Sequence, residues 1–204
     1  MSKIGSVASG KSLREIIDAA ATARSKLTLP VDGRLAVSMD FLLERRVEPI
    51  LEVQIDIRDD QDDDMSGLLA AYSLSDRVLK LRESVVRRCA IDEPEALFTI
   101  CHEIGHIWLH SDTEYFRRSA PLKLPKKTCD PEWQADMFSA AFMSDLKLFE
   151  SYGDPLQALL HCRIPKVQAL RYIAELESAR ILVKKQETLA DRNFWNATQG
   201  DFDF

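Results

Sequence analysis

The sequence of 204 residues lacks any apolar stretch close to the roughly 20 residues that a membrane-spanning helix needs. This absence argues against an integral membrane protein. The first six residues also lack an apolar run and a small-residue cleavage site, which are the marks of a secretory signal peptide. We therefore expect a cytoplasmic protein with no membrane contact.

Cysteine is scarce and unpaired in the sequence. Cys89, Cys101, Cys129 and Cys162 are far apart and form no C-x-x-C pair. A small secreted protein held together by disulfides would be denser in cysteine. The four residues are better interpreted as small apolar side chains in a reducing compartment.

Positive charge is also in short supply. Lysine and arginine number 27 against 33 acidic residues, which gives a net charge of −6 and an isoelectric point of about 5.3. Proteins that grip nucleic-acid phosphates carry the opposite balance, so we expect no direct nucleic-acid binding. The hydrophobic fraction of 46% is enough for a true core, and the length suits one domain with small additions.

The N-terminal half mixes helical and strand patterns. Apolar residues at helical spacing predict helices over 12–25 and 34–46, and alternation of apolar and polar residues predicts a strand over 50–57. A hairpin is predicted from 67–74 and 77–83. The simplest assembly is a short, mostly antiparallel three-stranded sheet, which makes the fold class α+β.

The C-terminal half is predicted to be helical. One helix reaches about His110 from a capping sequence at Asp92, and another begins at Asp130-Pro131 and reaches about Leu146. A polar connector, 111–129, separates them. Two shorter helices follow at about 154–161 and 165–183.

Three regions follow from this organisation. Residues 1–29 form an N-terminal helical extension, residues 30–183 the main domain, and residues 184–204 an acidic, aromatic tail that we expect to be loosely ordered.

One motif dominates the chain: His102-Glu103-Ile104-Gly105-His106. It lies inside the predicted helix that ends near His110, which is the context the H-E-x-x-H motif requires. Positions i and i+4 lie about 40° apart around a helix and about 6 Å apart along it, so both imidazoles project from one face and can share one metal ion.

The chemistry of these residue types assigns roles to the motif. Neutral imidazoles suit Zn²⁺, and a catalytic zinc takes three protein ligands and keeps one position for water. Such a metal lowers the pKa of a water molecule to near 7. Glu103, on the flank of the ligand face, is placed to accept the proton of that water and so to act as general base.

A third ligand must come from elsewhere, and Glu132 is the predicted residue. It opens the next helix, whose N-terminus favours an ionised carboxylate. Asp136, one turn later, would accept a hydrogen bond from the second ring nitrogen of a ligand histidine. Ala135 and Ser139 are small and would let the two helices approach closely.

Other residues remain candidates. His110 continues the i, i+4 series but is rotated by about 80° from His102, so we interpret it as lying behind the ligands or on the substrate side. Asp112 and Glu114 are weaker ligand candidates on the connector. His161 is interpreted as structural.

At this point the sequence resembles a known family. The segment from Leu97 to His110, LFTICHEIGHIWLH, and the segment from Glu132 to Met143, EWQADMFSAAFM, are similar to the two signature motifs of the bacterial ImmA/IrrE metallopeptidases. The resemblance covers roughly residues 30–180. Ser144-Asp145 stands where the family usually has a proline.

The resemblance implies a minimal zincin-like, gluzincin-like fold in which a short sheet packs on the two motif helices. It also implies that His102, His106 and Glu132 bind one catalytic zinc ion and that Glu103 is the general acid and base. Family members are typically encoded on mobile elements or in stress-response loci, and they cleave or inactivate helix-turn-helix repressors. The expected function is therefore zinc-dependent hydrolysis of a peptide bond in a specific intracellular protein.

Two alternatives stay open. The protein could be a regulatory binding protein with a structural metal, which sequesters a transcription factor without cutting it, or it could be the toxin of a toxin–antitoxin pair. The donor that stabilises the oxyanion is also open, with Tyr72, Tyr115, Arg117 and His110 as candidates.

Overall fold

The computed structural model describes residues 8–27, 30–31, 34–35, 42–62, 65, 67–110 and 126–182. Its α-helices are α1 (Leu13–Leu27), α2 (Glu48–Leu51), α3 (Glu83–Ala90), α4 (Pro94–His110), α5 (Pro131–Met143), α6 (Leu148–Tyr152), α7 (Pro155–His161) and α8 (Lys166–Ser178). Its strands are β1 (Pro30–Val31), β2 (Arg34–Leu35), β3 (Gln54–Arg58), β4 (Ala70–Ser73) and β5 (Val78–Arg82). A π-helical turn, Leu43–Val47, precedes α2, and a 3₁₀ turn, Lys127–Cys129, precedes α5.

The helix starts follow from local sequence. Before α1, the backbone N–H of Ser12 donates to Glu15 Oε2 at 2.7 Å, and the N–H of Glu15 donates to Ser12 Oγ at 3.4 Å, which completes the predicted capping box. Before α5, Asp130 Oδ1 accepts from the N–H of Glu132 at 3.0 Å, and Pro131 occupies the first helical position. Both motif helices are therefore present, and the described residues of α4 run to His110.

The prediction of a helix over 34–46 is wrong at its start. Arg34–Leu35 pairs antiparallel with Pro30–Val31, and the described helical residues of this region begin only at 42. The strand predicted over 50–57 begins later, at Gln54, because Glu48–Leu51 forms a helical turn. Pro49 lies in the first turn of that helix, where a missing N–H costs nothing, so the proline that suggested a break instead suits a start.

The three-stranded sheet has the predicted number of strands but is mixed rather than mostly antiparallel. Its order is β3-β5-β4, with β4 antiparallel to β5 and β3 parallel to β5. The antiparallel pair is the predicted hairpin. The parallel pair joins strands that are not consecutive, and no turn sequence signals such a pairing. Within the described residues, β4 pairs on one side only and so forms one edge of this sheet.

The core joins the N-terminal helix to the two motif helices. Ile16, Ala20 and Ala23 of α1 are fully buried, as are Ile104 of α4 and Phe138 of α5. Arg24, also buried, donates hydrogen bonds from Nη2 to the backbone carbonyls of Ala141 and Ser144 at the end of α5. The α1 helix therefore helps to hold α5, which carries the predicted third ligand.

In the part of the chain that the structure describes, no helix combines the length and the apolar character that crossing a membrane requires. The predicted connector lies mostly outside the described residues, which resume at 126, and so does the predicted tail, 184–204.

Candidate metal centre

The α4 helix places two imidazoles on one face. His102 and His106 are one turn apart, and their side chains keep 18% and 12% of their accessible surface. Their Nε2 atoms lie 3.0 Å apart, and their rings meet edge to face. This is the arrangement that the i, i+4 spacing predicts.

Close packing of α5 against α4 brings the third residue to this face. A Cβ atom added to Gly105 would lie 3.3 Å from the backbone Cα and O atoms of Ala135 and 3.1 Å from the ring of Phe138. Only glycine leaves room for this approach without a shift of the neighbouring helix. The small residue at 135, singled out in the sequence, therefore lies where α5 packs against Gly105.

The carboxylate of Glu132 completes a group of three potential ligands. Its Oε2 lies 3.3 Å from His102 Nε2, and its Oε1 lies 3.6 Å from His106 Nε2. All the ligand atoms of this group lie within 4.8 Å of one another. Tetrahedral ligands at about 2.0–2.1 Å from zinc are separated from one another by about 3.3 Å, and the three observed distances straddle that value.

The electrostatics of the group favour a cation. Burial opposes the charged form of His102, but hydrogen bonds to Asp136 and Glu132 outweigh it and raise the pKa of His102 to about 10. The hydrogen bonds that Glu132 makes with His102 and His106 hold the pKa of Glu132 well below its usual range. In the absence of metal, protons therefore supply the positive charge that a divalent ion would bring.

Asp136 lies behind His102, as the sequence suggested. Its Oδ1 is 3.0 Å from His102 Nδ1, so it accepts a hydrogen bond from the ring nitrogen that faces away from Glu132. A carboxylate in this place holds the ring with Nε2 toward the metal and makes that nitrogen a better ligand.

His110 is not one of the convergent ligands. It is only 1% exposed, and its Nδ1 lies 3.2 Å from His106 Nδ1, which is not the ring nitrogen near His102 and Glu132. Its Nε2 lies 2.9 Å from Gln134 Oε1. Burial lowers the pKa of His110 to about 4. Of the two expectations for this residue, the geometry fits a place behind His106 and not a place on the substrate side.

Glu103 stands beside the ligand group and is not a member of it. The backbone N–H of Tyr72 in β4 donates to its Oε2 at 2.9 Å. Burial raises the pKa of Glu103, against the lowering effect of the neighbouring His106 and His102. A carboxylate whose pKa is raised toward the working pH is better suited to proton transfer than an exposed carboxylate with an ordinary pKa.

Sequence reasoning missed two contributors to the site. Gln134 is fully buried. Its role could have been suspected from the sequence, because it is a polar residue between Glu132 and Asp136 in a helix with many apolar side chains. The contribution of the Tyr72 N–H could not be predicted from the sequence, because every residue except proline has a backbone N–H. The sequence points to Tyr72 only for its side chain, whose hydroxyl is buried without a hydrogen-bond partner among the described residues.

The remaining candidates lie away from the group or outside the described residues. His161 is exposed at the end of α7 and packs against the ring of Tyr152, with 5.1 Å between ring centroids. Asp112, Glu114, Tyr115 and Arg117 fall in the part of the chain that the structure does not describe.

The donor set fits a zinc ion. Two imidazole nitrogens and one carboxylate are ligands that zinc accepts in catalytic sites. His102 Nδ1 keeps its hydrogen, which it donates to Asp136. The raised pKa of His102 means that Nε2 also carries a proton, and a metal ion can take the place of that proton. Glu132 keeps 69% of its side-chain surface, so the group is open on that side.

Comparison with known proteins bears on the same segment. The model of the Peptidase_M78 family, described as an IrrE N-terminal-like domain, matches residues 85–156, which include both ligand helices. Neither the curated proteins nor the solved structures provide a match to the chain. The family match includes every residue of the candidate centre apart from Tyr72. Residues 85–156 are thus similar to an IrrE N-terminal-like domain, and this match supports an assignment to the ImmA/IrrE family of metallopeptidases.

Proposed function

We propose that the protein is a zinc-dependent endopeptidase that cuts a peptide bond in a specific intracellular protein, with Glu103 as general base. His102, His106 and Glu132 would hold the ion. The metal would supply Lewis acidity, which polarises the scissile carbonyl and lowers the pKa of water. The observation that carries the proposal is a half-buried carboxylate, Glu103, which lies beside the ligand group and is not itself a member of it.

Glu103 is prepared for proton transfer by its surroundings. The hydrogen bond from Tyr72 N–H holds one carboxylate oxygen, Oε2, and leaves Oε1 for a proton. The burial that raises its pKa makes it a stronger base than a solvated glutamate. After accepting a proton from water, the same oxygen can pass it to the leaving amine. A purely structural metal site requires no such residue.

The edge strand β4 supports binding of an extended substrate. The N–H of Tyr72 donates to Glu103 and not to β5, so this N–H points away from the sheet and toward the metal centre. An extended peptide could add to this edge through main-chain hydrogen bonds, which place its backbone close to Glu103. Such binding depends little on side chains, so specificity would come from docking of the whole substrate protein.

We further propose a helix-turn-helix regulator as the substrate, on the support of the resemblance of the two motifs to the ImmA/IrrE family alone. The candidate to test first is any small helix-turn-helix protein encoded beside this chain. In a toxin–antitoxin pair the same cut would fall on the antitoxin.

The test is intact-mass spectrometry of that regulator after incubation with the zinc-loaded protein. We expect two fragments with wild-type protein and none with Glu103→Gln, which keeps the side-chain size but cannot accept the proton. Glu95→Gln, at an exposed glutamate on the same helix, is the matched control and should cut normally. Cleavage by Glu103→Gln would refute the assigned base, and an intact regulator with altered DNA binding would favour sequestration without hydrolysis.

A further inference from the structure

A series of side-chain hydrogen bonds leads away from His106, starting at the ring nitrogen that does not face His102. It passes from His106 Nδ1 to His110 Nδ1 at 3.2 Å, and from His110 Nε2 to Gln134 Oε1 at 2.9 Å. It ends where Gln134 Nε2 reaches the backbone carbonyls of Ser9 at 2.8 Å and Thr128 at 2.6 Å. The series therefore connects α4, α5 and the segment that precedes α1.

The far end of this series fixes the orientation of the Gln134 amide. Carbonyl oxygens only accept hydrogen bonds, so the amide NH₂ group must face Ser9 and Thr128, and Oε1 must face His110. The Thr128 carbonyl also accepts from Lys11 N–H, and Ala8 N–H donates to Cys129 O, so the two segments that carry these carbonyls are bonded to each other. The amide cannot turn over without the loss of two donated bonds.

The orientation of the amide sets the hydrogens on both imidazoles. His110 Nε2 faces an acceptor and so carries hydrogen. Burial favours an uncharged ring, which has one N–H only, so His110 Nδ1 is an acceptor. His106 Nδ1 must then be the donor, which leaves Nε2, on the face it shares with His102 and Glu132, as the ring nitrogen that can bind a metal ion.

We infer that His110 and Gln134 are positioning residues of the metal centre, which hold His106 in the tautomer and ring orientation that present Nε2 as a ligand. The inference rests on the proposed function to the extent that His106 binds the metal. The two ligand histidines thus receive different support: His102 by a carboxylate, Asp136, and His106 by a neutral series of hydrogen bonds that ends on backbone carbonyls. Neutral support leaves the net charge of the centre unchanged while it still fixes the ring.

The first test requires no substitution. In ¹⁵N-histidine-labelled wild-type protein, nitrogen chemical shifts identify which ring nitrogen carries hydrogen. With Zn²⁺ bound, we expect hydrogen on Nδ1 of His106 and on Nε2 of His110. Hydrogen on Nδ1 of His110, whether in the other tautomer or in a cationic ring, would overturn the inference because that nitrogen could no longer accept from His106.

The second test measures zinc affinity by competition with a chromophoric chelator. His110→Phe keeps a ring of similar size without its nitrogens, and Gln134→Met keeps the length without the amide. We expect each to weaken zinc binding about tenfold to hundredfold, the range found for lost support of a ligand histidine. His110→Gln should recover part of the loss, because its side-chain oxygen can accept from His106 Nδ1.

Control variants separate this role from a general effect on folding. His161→Phe makes the same change at an exposed histidine, and Ser9→Ala changes a side chain whose backbone carbonyl is the group in use. Both should bind zinc as wild type does. A folded His110→Phe variant that binds zinc with wild-type affinity would overturn the inference. If this variant does not fold, the ring tautomers of the wild-type protein test the inference instead. Wild-type protein that takes up no zinc refutes the proposed function, and the inference with it, whereas zinc binding with the other tautomer refutes the inference alone.

Discussion

The backbone N–H of Tyr72 donates a hydrogen bond to Glu103 Oε2 at 2.9 Å, and this bond joins the edge of the sheet to the motif helix. The donor belongs to a strand and the acceptor to a helix that is separated from it by β5 and α3. The sheet therefore has a direct part in the centre: it orients the proposed general base.

Removal of this donor should reduce catalysis and spare the metal. In Tyr72→Pro the N–H is lost, while the ladder to β5 is kept because this N–H faces away from it. We expect regulator cleavage to slow by about tenfold to hundredfold, the scale of a misplaced catalytic group, with unchanged zinc affinity. The rate of cleavage and the chelator competition together measure this split.

Tyr72→Phe is the matched control for that variant. It keeps the backbone donor and removes only a hydroxyl that is buried without a partner among the described residues. Both cleavage and zinc affinity should stay at the wild-type level. A slow Tyr72→Phe would show that the side chain, and not the backbone, contributes to the reaction.

Gly105→Ala should weaken the centre although alanine is the better helix former. The preference for alanine is about 1 kcal/mol, whereas the added Cβ would press on the backbone of α5, and such overpacking costs about 1–3 kcal/mol. Because α5 carries Glu132, we expect both a lower free energy of unfolding and weaker zinc binding. Urea denaturation and chelator competition measure the two effects, and a more stable variant with wild-type affinity would contradict the close packing.

Zinc should stabilise the folded protein. An ion that binds only the folded state adds about 4 kcal/mol at a free concentration 1,000 times its dissociation constant. We expect a higher melting temperature with Zn²⁺, reversal by a chelator, and no effect of Zn²⁺ on His106→Ala. Mg²⁺ prefers an all-oxygen environment and should leave the wild type unchanged. An equal shift in His106→Ala would locate the binding elsewhere.

The affinity for zinc should rise with pH across the neutral range. The pKa of His102 is about 10 in the metal-free protein, although burial alone would lower it, because Asp136 and Glu132 stabilise the protonated ring. Zinc must displace this proton, so binding near pH 7 should release it and tighten as the pH rises toward 10. In the metal-free protein the same raised pKa contributes stability fully present below about pH 6.5 and lost as the pH passes 10.

Calorimetry in two buffers of different ionisation enthalpy counts the released protons. Asp136→Asn provides the comparison, since loss of the carboxylate should lower the pKa of His102 and flatten the dependence on pH. A wild-type affinity that stays constant between pH 7 and 9, with no proton release, would contradict this dependence.

Arg24 should be important for stability and not for chemistry. Its guanidinium donates to the backbone carbonyls of Ala141, in the last turn of α5, and of Ser144, which follows it. Arg24→Met should lower the free energy of unfolding by about 2–3 kcal/mol, because hydrogen bonds to a charged donor are lost and the carbonyls remain buried. Arg14→Met, at an exposed position of the same helix, is the control and should have little effect in urea denaturation.

The sequence by itself determined the parts of the protein that depend on near neighbours. A spacing of four residues places His102 and His106 on one helical face in any tertiary context. The helix starts at Leu13 and Pro131 follow from side chains that bond within three residues. For the same reason the hairpin of β4 and β5 was predictable, since one short turn joins its strands.

Only the tertiary structure decided how these parts meet. The parallel pairing of β3 with β5 joins non-consecutive strands, so no turn sequence announces it. Glu132 reaches the histidines because α5 lies against Gly105, and the support of His106 depends on a bond from Gln134 to Ser9, which is 125 positions away. Local sequence preferences act over a few residues. Contacts between distant residues arise from the packing of whole helices and strands, and the spacing of residues along the sequence does not predict that packing.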